Sequence, residues 1–373
     1  MRDNDARRDD PVRPTEKPIR LIGEDGALAN GKLAAGFELP DRDTLRGLHR
    51  SMVLARRFDA QVTALTRQGR LATYPSALGQ EASEIASVAA LAPGDWLFPT
   101  YRDTIALLTR GVKPVEILSF FRGDWHGAFD PYEHHTSPQA TPLATQALHA
   151  VGLATAAKMK GEKTVALALL GDGSTSEGDA HEAFNFASVW QAPTVFVIQN
   201  NQYAISVPYA KQSRARTLAD RAIGYAMPGY FVDGNDAAAM FAVVTAAVER
   251  ARDGGGPTMI EALTYRLEAH TNSDDPSRYR EKSEEAAWRA PDPVARLEKY
   301  LLSIGALDDD LLADVARESE ELASATRDVM NETPVLDPLE LFDHVYIADR
   351  PSLTEQRDFL ARELASTESG SHS

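Results

Sequence analysis

The chain has 373 residues, of which 39 are basic and 55 acidic, so its net charge is 39 − 55 = −16. That balance argues against a nucleic-acid surface and leaves any anionic ligand to be held by local Arg and His. The chain has no cysteine, no apolar stretch near 18 residues and no apolar signal region at its charged N-terminus, which excludes disulfides and a thiol nucleophile and leads us to expect a cytoplasmic protein with no membrane span.

Residues 1–36 are charged and rich in Pro, Gly and Asp, and read as a flexible arm. A helix is expected from Asp41, with Leu45, Leu48, Met52, Phe58, Val62 and Leu65 on one face and Gly69 as its stop. A helix of small residues spans 79–91, residues 98–103 form a loop feeding another helix, and 125–142 is a long polar loop. Residues 143–160 are Ala-rich and close at Gly161. The runs 164–170 and 194–198 are almost continuously apolar, as strands covered on both faces are. Ser174 to Glu177 has capping-box spacing at the head of a helix between them, where Ala180, Ala183, Phe184, Ala187 and Trp190 recur at helical intervals. Residues 230–232 and 258–265 read as further strands separated by a helix over 237–252. The expected fold class is therefore α/β. A parallel sheet of at least four strands, flanked by helices, fills residues 37–290; a helical C-terminal extension covers 291–366 and a disordered tail 367–373.

Gly171-Asp172-Gly173 closes the first apolar run, and after 26 intervening residues Asn200-Asn201 follows the second. A strand–helix–strand crossover is right-handed almost without exception, so both strand ends open on one edge of the sheet, where open α/β folds bind ligands. Mg²⁺ takes about six oxygens in near-octahedral array. Asp172 offers a carboxylate oxygen, Asn201 an amide oxygen and Tyr203 a backbone carbonyl, leaving the other positions to diphosphate and water. Gly171 and Gly173 let the backbone approach a phosphate, and Ser174 opens a helix whose N-terminus, near Thr175, attracts an anion. Each motif also occurs in ordinary turns. Their pairing in one frame is what points to a metal–diphosphate site.

Gly-Asp-Gly, this gap and Asn-Asn resemble the thiamine diphosphate signature. The segments Tyr101-Arg102-Asp103, Thr141 to Gln146, Ser176 to His181, Asn200 to Ser206, Val232 to Asp236 and His270 to Pro276 look like the alpha subunit of the decarboxylating component of 2-oxoacid dehydrogenase complexes, over residues 40–345. The resemblance implies a thiamine diphosphate-binding fold and thiamine diphosphate with Mg²⁺ as cofactors. It also implies oxidative decarboxylation of a 2-oxoacid with reductive acylation of a lipoyl group on an acyltransferase component. By the same resemblance Tyr101, Arg102 and Arg266 reach the cofactor, Leu143 is the apolar wedge beneath it, and His270 is the catalytic group, exchanging a proton near pH 7. Thr141, Pro142, Thr145 and Gln146 resemble a K⁺ loop, but Ala140 stands where a Ser is common, so K⁺ stays open. The chain supplies half a site; a beta subunit should complete two sites in an α₂β₂ heterotetramer. Thr271, Ser273 and Ser277 lie in a loop phosphorylated in mitochondrial relatives, where phosphate beside His270 predicts inhibition.

The segments at 141–146, 176–181 and 341–346 lean toward the branched-chain type (3-methyl-2-oxobutanoate) over the pyruvate type, while Thr100 departs from the Gln of the best-known branched-chain members. A haloacid-dehalogenase-type phosphatase, with Asp41 and Asp43 as its acids, fails because no apolar strand precedes them; one of them is better read as a helix cap. A non-catalytic scaffold would lack Asp172, Asn201 or His270. His126, His134, His135 and His181 read as loop or surface histidines, since no carboxylate or cysteine stands at ligand spacing.

Overall fold

A computed structural model describes residues 13–124, 129–332, 337–343 and 345–370, the last four of these by backbone alone. The helices used below are α1 (Arg42–Arg67), α2 (Glu81–Ala89), α3 (Thr104–Thr109), α4 (Pro114–Arg122), α5 (Thr145–Lys160), α6 (Gly178–Trp190), α7 (Ala237–Arg250), α8 (Pro293–Ser303), α9 (Asp309–Asn331) and α10 (Pro351–Gly370). The strands are β1 (Trp96–Phe98), β2 (Ala166–Gly171), β3 (Thr194–Asn200), the short hairpin β4 (Tyr203–Ala204) and β5 (Val207–Pro208), β6 (Gly229–Asp233) and β7 (Thr258–Leu263).

The apolar runs become adjacent parallel strands because, buried on both sides, they need no polar face. Five strands pair in the order β1-β2-β3-β7-β6, all parallel. β1 is the strand that the sequence did not announce; three residues are too few to show a period. Alternation along each strand sorts the core. Leu167, Leu169, Val195, Val197 and Ile260 join the bulky residues of α1, α2 and α7. Ala166, Ala168, Leu170, Phe196 and Ile198 join the alanines of α5 and α6. Register then levels the strand ends: Gly171 pairs with Gln199 and Asn200 with Leu263. Asp172, Asn201 and Arg266 consequently leave the sheet along one edge.

Several expectations change. The segment from Ile19 to Ile22 packs: Ile19 N donates to Phe231 O at 2.8 Å on the outer edge of β6, and the side chains of Ile19, Leu21 and Ile22 are buried. Leu21 and Ile22 N–H groups donate to the Asp236 carboxylate at 2.7 and 2.8 Å. Three apolar residues in a charged stretch were enough to cover a sheet edge; residues 1–12 of the expected arm lie outside the described residues. The capping box does not form. Asp172–Ser176 is a 3₁₀ turn, and Glu177 precedes α6 in extended conformation with no side-chain cap. α5 begins at Thr145, because Ala144 takes a left-handed φ of 65° that detaches Leu143 from the helix. In the extension, Arg57 of α1 pairs with Glu320 of α9 at 2.5 Å, and α10 continues past the expected boundary at 366 to Gly370; residues 371–373 lie outside the described residues.

Candidate active site

A cavity of about 410 Å³ opens at the sheet edge beyond β2, β3 and β7, and Tyr101, Arg102, Leu143, Gly171, Asp172, Gly173, Ser174, Asn201, Tyr203, Arg266 and His270 all line it. Thr141 does not. It lines a neighbouring apolar cavity of about 420 Å³, whose walls include Pro75, Phe120, Phe121 and Thr271 and which shares Tyr101, Leu143, Ile205 and His270 with the first.

One wall is acidic and amide-rich. Asp172 follows β2 directly and is buried, its Oδ2 accepting from Gln212 Nε2 at 2.7 Å. Burial pushes its carboxyl up, opposed by that hydrogen bond. Asn201 follows β3, its Nδ2 donating to Gln80 Oε1 at 2.8 Å and its Oδ1 accepting from Tyr203 N at 3.3 Å. Gln202 and Ile205 hold left-handed φ values of 75° and 54°, which fold residues 201–205 into the turn that carries the Tyr203 carbonyl. A Cβ on Gly173 would stand 2.8 Å from Ala204 Cβ, so close packing against this turn requires glycine there. A Cβ on Gly171 would meet no protein atom within 4 Å, and its open side borders the cavity.

The other wall is cationic and adjoins the first, Arg266 Nη1 donating to Tyr203 O at 3.4 Å. Arg102 donates to Ser76 O at 2.8 Å and to His270 O at 3.1 Å. Arg266, 1 % exposed, donates to Ile205 O at 2.7 Å and to the Tyr279 hydroxyl at 3.1 Å. Burial, with Arg102 as a like-charged neighbour, brings the Arg266 guanidinium down to about 10. His270 Nδ1 lies 3.1 Å from Arg102 Nη2 and 3.4 Å from Arg266 Nη1. Guanidinium nitrogens only donate, so Nδ1 is the acceptor and the neutral ring carries its proton on Nε2. Burial and the two guanidiniums drive the His270 pKa down to about 4. In this charge environment, without a bound anion, the ring is neutral near pH 7. The Tyr101 ring sits edge-on to His270, centroids 6.1 Å apart.

Three buried polar atoms on cavity-lining residues have no hydrogen-bond partner in the chain: Ser174 Oγ, Gln212 Oε1 and Arg266 Nε. Buried polar groups are paired in the great majority of cases, so three around one cavity leave partners to be supplied by water or a polar ligand.

The sequence reading missed Gln80, Gln199, Lys211, Gln212 and Ile205 as lining residues. Gln199 had a signal, being a polar residue at the end of an apolar run. Gln80 had none, because it reaches the site from the far end of a loop. Neither Asp41 nor Asp43 lines the cavity; Asp41 caps α1, accepting from Thr44 N at 2.8 Å. His181 bonds the Tyr225 hydroxyl, and His126 lies outside the described residues. Gln146 is buried and donates to Leu169 O at 2.8 Å, tying the 141–146 loop to β2.

Residues 49–338 match the family model described as dehydrogenase E1 component. The chain belongs to that family. It is 44% identical over 352 residues to the 3-methyl-2-oxobutanoate dehydrogenase subunit alpha of Mycobacterium tuberculosis strain H37Rv, covering 94% of this chain and 95% of that protein. It is also 37% identical over 342 residues to the pyruvate dehydrogenase E1 component subunit alpha of Acholeplasma laidlawii, covering 89% and 96%. Its likeness to the same subunit of Staphylococcus epidermidis strain RP62A is 39% over 341 residues, covering 91% of each. E1 components are thiamine diphosphate-dependent oxidoreductases. The site of this E1 chain fits that cofactor's diphosphate: two guanidiniums and an unpartnered Ser174 hydroxyl face a carboxylate, an amide and a carbonyl suited to a hard cation.

Proposed function

We propose that this E1 chain is the alpha subunit of a branched-chain 2-oxoacid (3-methyl-2-oxobutanoate) dehydrogenase, with lipoyl groups of an acyltransferase component as acceptor. The observation that carries the reading is the meeting of Asp172 and Asn201 with Arg102, Arg266 and His270 across one cavity holding three unpartnered buried polar atoms. The higher identity to the branched-chain relative supports the substrate class, and so does the apolar cavity beside His270, whose Pro75, Phe120, Phe121, Leu143 and Ile205 suit a branched alkyl chain.

When bound, thiamine diphosphate supplies the electron sink for loss of CO₂. Asp172, Asn201 and the Tyr203 carbonyl would hold Mg²⁺, while Arg102 and Arg266 offset the diphosphate charge and Ser174 donates to it. Leu143, 36% exposed, and Ile205 would offer the cofactor's ring an apolar seat. His270 would offer its Nε2–H to the bound cofactor or substrate as a hydrogen-bond donor, and a bound anion beside the two guanidiniums would raise its pKa toward the working range. K⁺ is left out of the proposal, because Ala140 brings no side-chain oxygen to the loop.

An alpha subunit of an E1 component implies a beta subunit. We take the assembly to be α₂β₂, supported by the exposed Met159 at the end of α5 (84%) and Val189 (68%), Trp190 and Phe186 of α6, an apolar surface that suits burial. A cytoplasmic location is part of the same reading. Among the described residues no helix is long and apolar enough to cross a membrane.

The test is co-expression with a beta subunit, followed by CO₂ release with Mg²⁺ and thiamine diphosphate. Faster turnover of 3-methyl-2-oxobutanoate than of pyruvate is expected, and equal rates would remove the substrate assignment. Decarboxylation by the purified chain alone would remove the dependence on a beta subunit.

A further inference from the structure

Behind Asn201 runs a chain of buried amides whose polarity is set at its far end. Asn201 Nδ2 donates to Gln80 Oε1 at 2.8 Å, and Gln80 Nε2 donates to Gln199 Oε1 at 3.0 Å. Gln199 Oε1 also accepts from Ser83 Oγ at 2.9 Å, and Gln199 Nε2 donates to Asp103 Oδ1 at 2.7 Å. The other Asp103 oxygen accepts from Thr100 N at 2.5 Å. All five side chains are buried, so none can exchange a lost partner for bulk water. Glu84 Oε1 is a second acceptor facing Gln80 Nε2, at 3.5 Å.

An amide has a donor end and an acceptor end, and their assignment follows from the surrounding network. Here a carboxylate that only accepts fixes the Gln199 nitrogen toward itself. That leaves Gln199 Oε1 toward Gln80, fixes the Gln80 nitrogen, and leaves Gln80 Oε1 toward Asn201. Asn201 must then turn Nδ2 inward, and its Oδ1 is left on the side of the turn that carries the Tyr203 carbonyl. Reversing any one amide would set acceptor against acceptor in a buried place. Gly79 holds the start of this relay. Its φ is +97°, a Cβ there would lie 2.2 Å from Tyr265 O, and its own carbonyl accepts from Thr264 Oγ1 at 2.8 Å, so Gln80 is anchored to the end of β7.

We propose that Gln80, Gln199 and Asp103 are positioning residues that orient the Asn201 amide so that its oxygen, rather than its nitrogen, faces the cation of the cofactor. The relay also ties two parts of the site together, since Asp103 closes the same Thr100 to Asp103 loop that presents Tyr101 and Arg102. The proposal rests on the cofactor reading above.

The test uses the full chain co-purified with its beta subunit, with Mn²⁺ in place of Mg²⁺ and thiamine diphosphate present, free Mn²⁺ being read by electron paramagnetic resonance. Gln80→Met should weaken Mn²⁺ binding about 10- to 100-fold, the usual range for a partner that orients a metal ligand, and should also lower the unfolding midpoint of the metal-free protein, because Asn201 Nδ2 and Gln199 Oε1 each lose a buried partner. In an Asn201→Asp background either oxygen serves, so adding Gln80→Met should cost no further affinity. Parent-like Mn²⁺ binding in Gln80→Met would overturn the proposal. So would an equal further loss when Gln80→Met is added to the Asn201→Asp background. A parent complex that binds no Mn²⁺ with thiamine diphosphate would overturn the cofactor reading itself, a result distinct from these.

Discussion

The two walls of the cavity are built in opposite ways. The acidic wall continues the sheet: Asp172 and Asn201 follow β2 and β3 directly, and the ladder holding those strands runs on past their ends, Thr264 N donating to Asn200 O at 3.0 Å. The cationic wall hangs on loops. Arg266 is held by the carbonyls of Tyr203 and Ile205 at 3.4 and 2.7 Å, and Arg102 by those of Ser76 and His270. The sheet therefore sets the position of the proposed cation ligands, while the arginines are aimed mainly by backbone carbonyls. Two buried guanidiniums with no carboxylate among the described residues hydrogen-bonded to either gain from an added anion, although Asp172 and Asp274 already offset part of the Arg266 charge and Asp103 and Glu84 part of the Arg102 charge.

The largest effect should follow from cutting the acidic wall. Asp172 is the carboxylate of the proposed ligand set, and its loss should exceed the cost of removing an orienting partner. Asp172→Ala is expected to weaken Mg²⁺-dependent thiamine diphosphate binding by more than about 100-fold, measured by calorimetry on the complex with the beta subunit. A smaller loss than that of Gln80→Met would place the cation elsewhere.

On the cationic wall, Arg266→Gln removes charge and keeps a planar donor. A hydrogen bond to a charged group contributes about 1.5–3 kcal/mol, so cofactor affinity should fall roughly 10- to 150-fold, with the loss shrinking at high salt if the guanidinium acts by charge. The metal-free protein should gain stability, because a buried guanidinium with an unpartnered Nε is gone. Thermal unfolding with and without cofactor checks both signs. Destabilisation of the metal-free form would mean that Arg266 is chiefly a structural clamp.

The difference between the walls also governed what could be read from the sequence. Asp172 and Asn201 were legible because strand ends carry a strong period and a fixed place, and the register of β2 on β3 then left little freedom. Arg102, Arg266 and His270 came from resemblance, since no periodicity places a loop side chain. What stayed hidden had physical causes. β1 is too short to show alternation, the buried run from Ile19 to Ile22 was lost in the average composition of a charged segment, and Gln80 gains its meaning only from partners 119 and 121 positions away. The capping box failed for a related reason: Ser174 at the cavity holds its hydroxyl unpartnered instead of closing a helix.

Two glycines separate protein packing from ligand space. Gly173→Ala drives a methyl group to 2.8 Å from Ala204 Cβ and should cost about 1–3 kcal/mol as overpacking, lowering the unfolding midpoint and displacing the Tyr203 carbonyl. Gly171→Ala meets no protein atom, so the midpoint should hold while cofactor affinity falls. If both variants lose stability equally, the Gly171 side of the cavity is not ligand space.

The smallest effect concerns protons. The His270 pKa lies at about 4 because burial and the guanidiniums of Arg102 and Arg266 oppose a charged ring, while Asp274, which accepts from His270 N at 2.9 Å, favours one. Its unfolded value is about 6.5. The folded-state value is depressed, so between those two limits the unfolded chain binds a proton that the native chain does not. The contribution of His270 to stability is therefore present above about pH 6.5 and is lost as pH falls toward about 4. Exchanging His270 for Gln should flatten that part of the stability curve. Diphosphate placed between the guanidiniums would offset their charge, so the midpoint of His270 Cε1 in an NMR titration should rise when the cofactor binds. A midpoint that stays low with cofactor bound would mean that the anion sits away from both arginines, and the cationic wall would then be a structural clamp on the loops it holds.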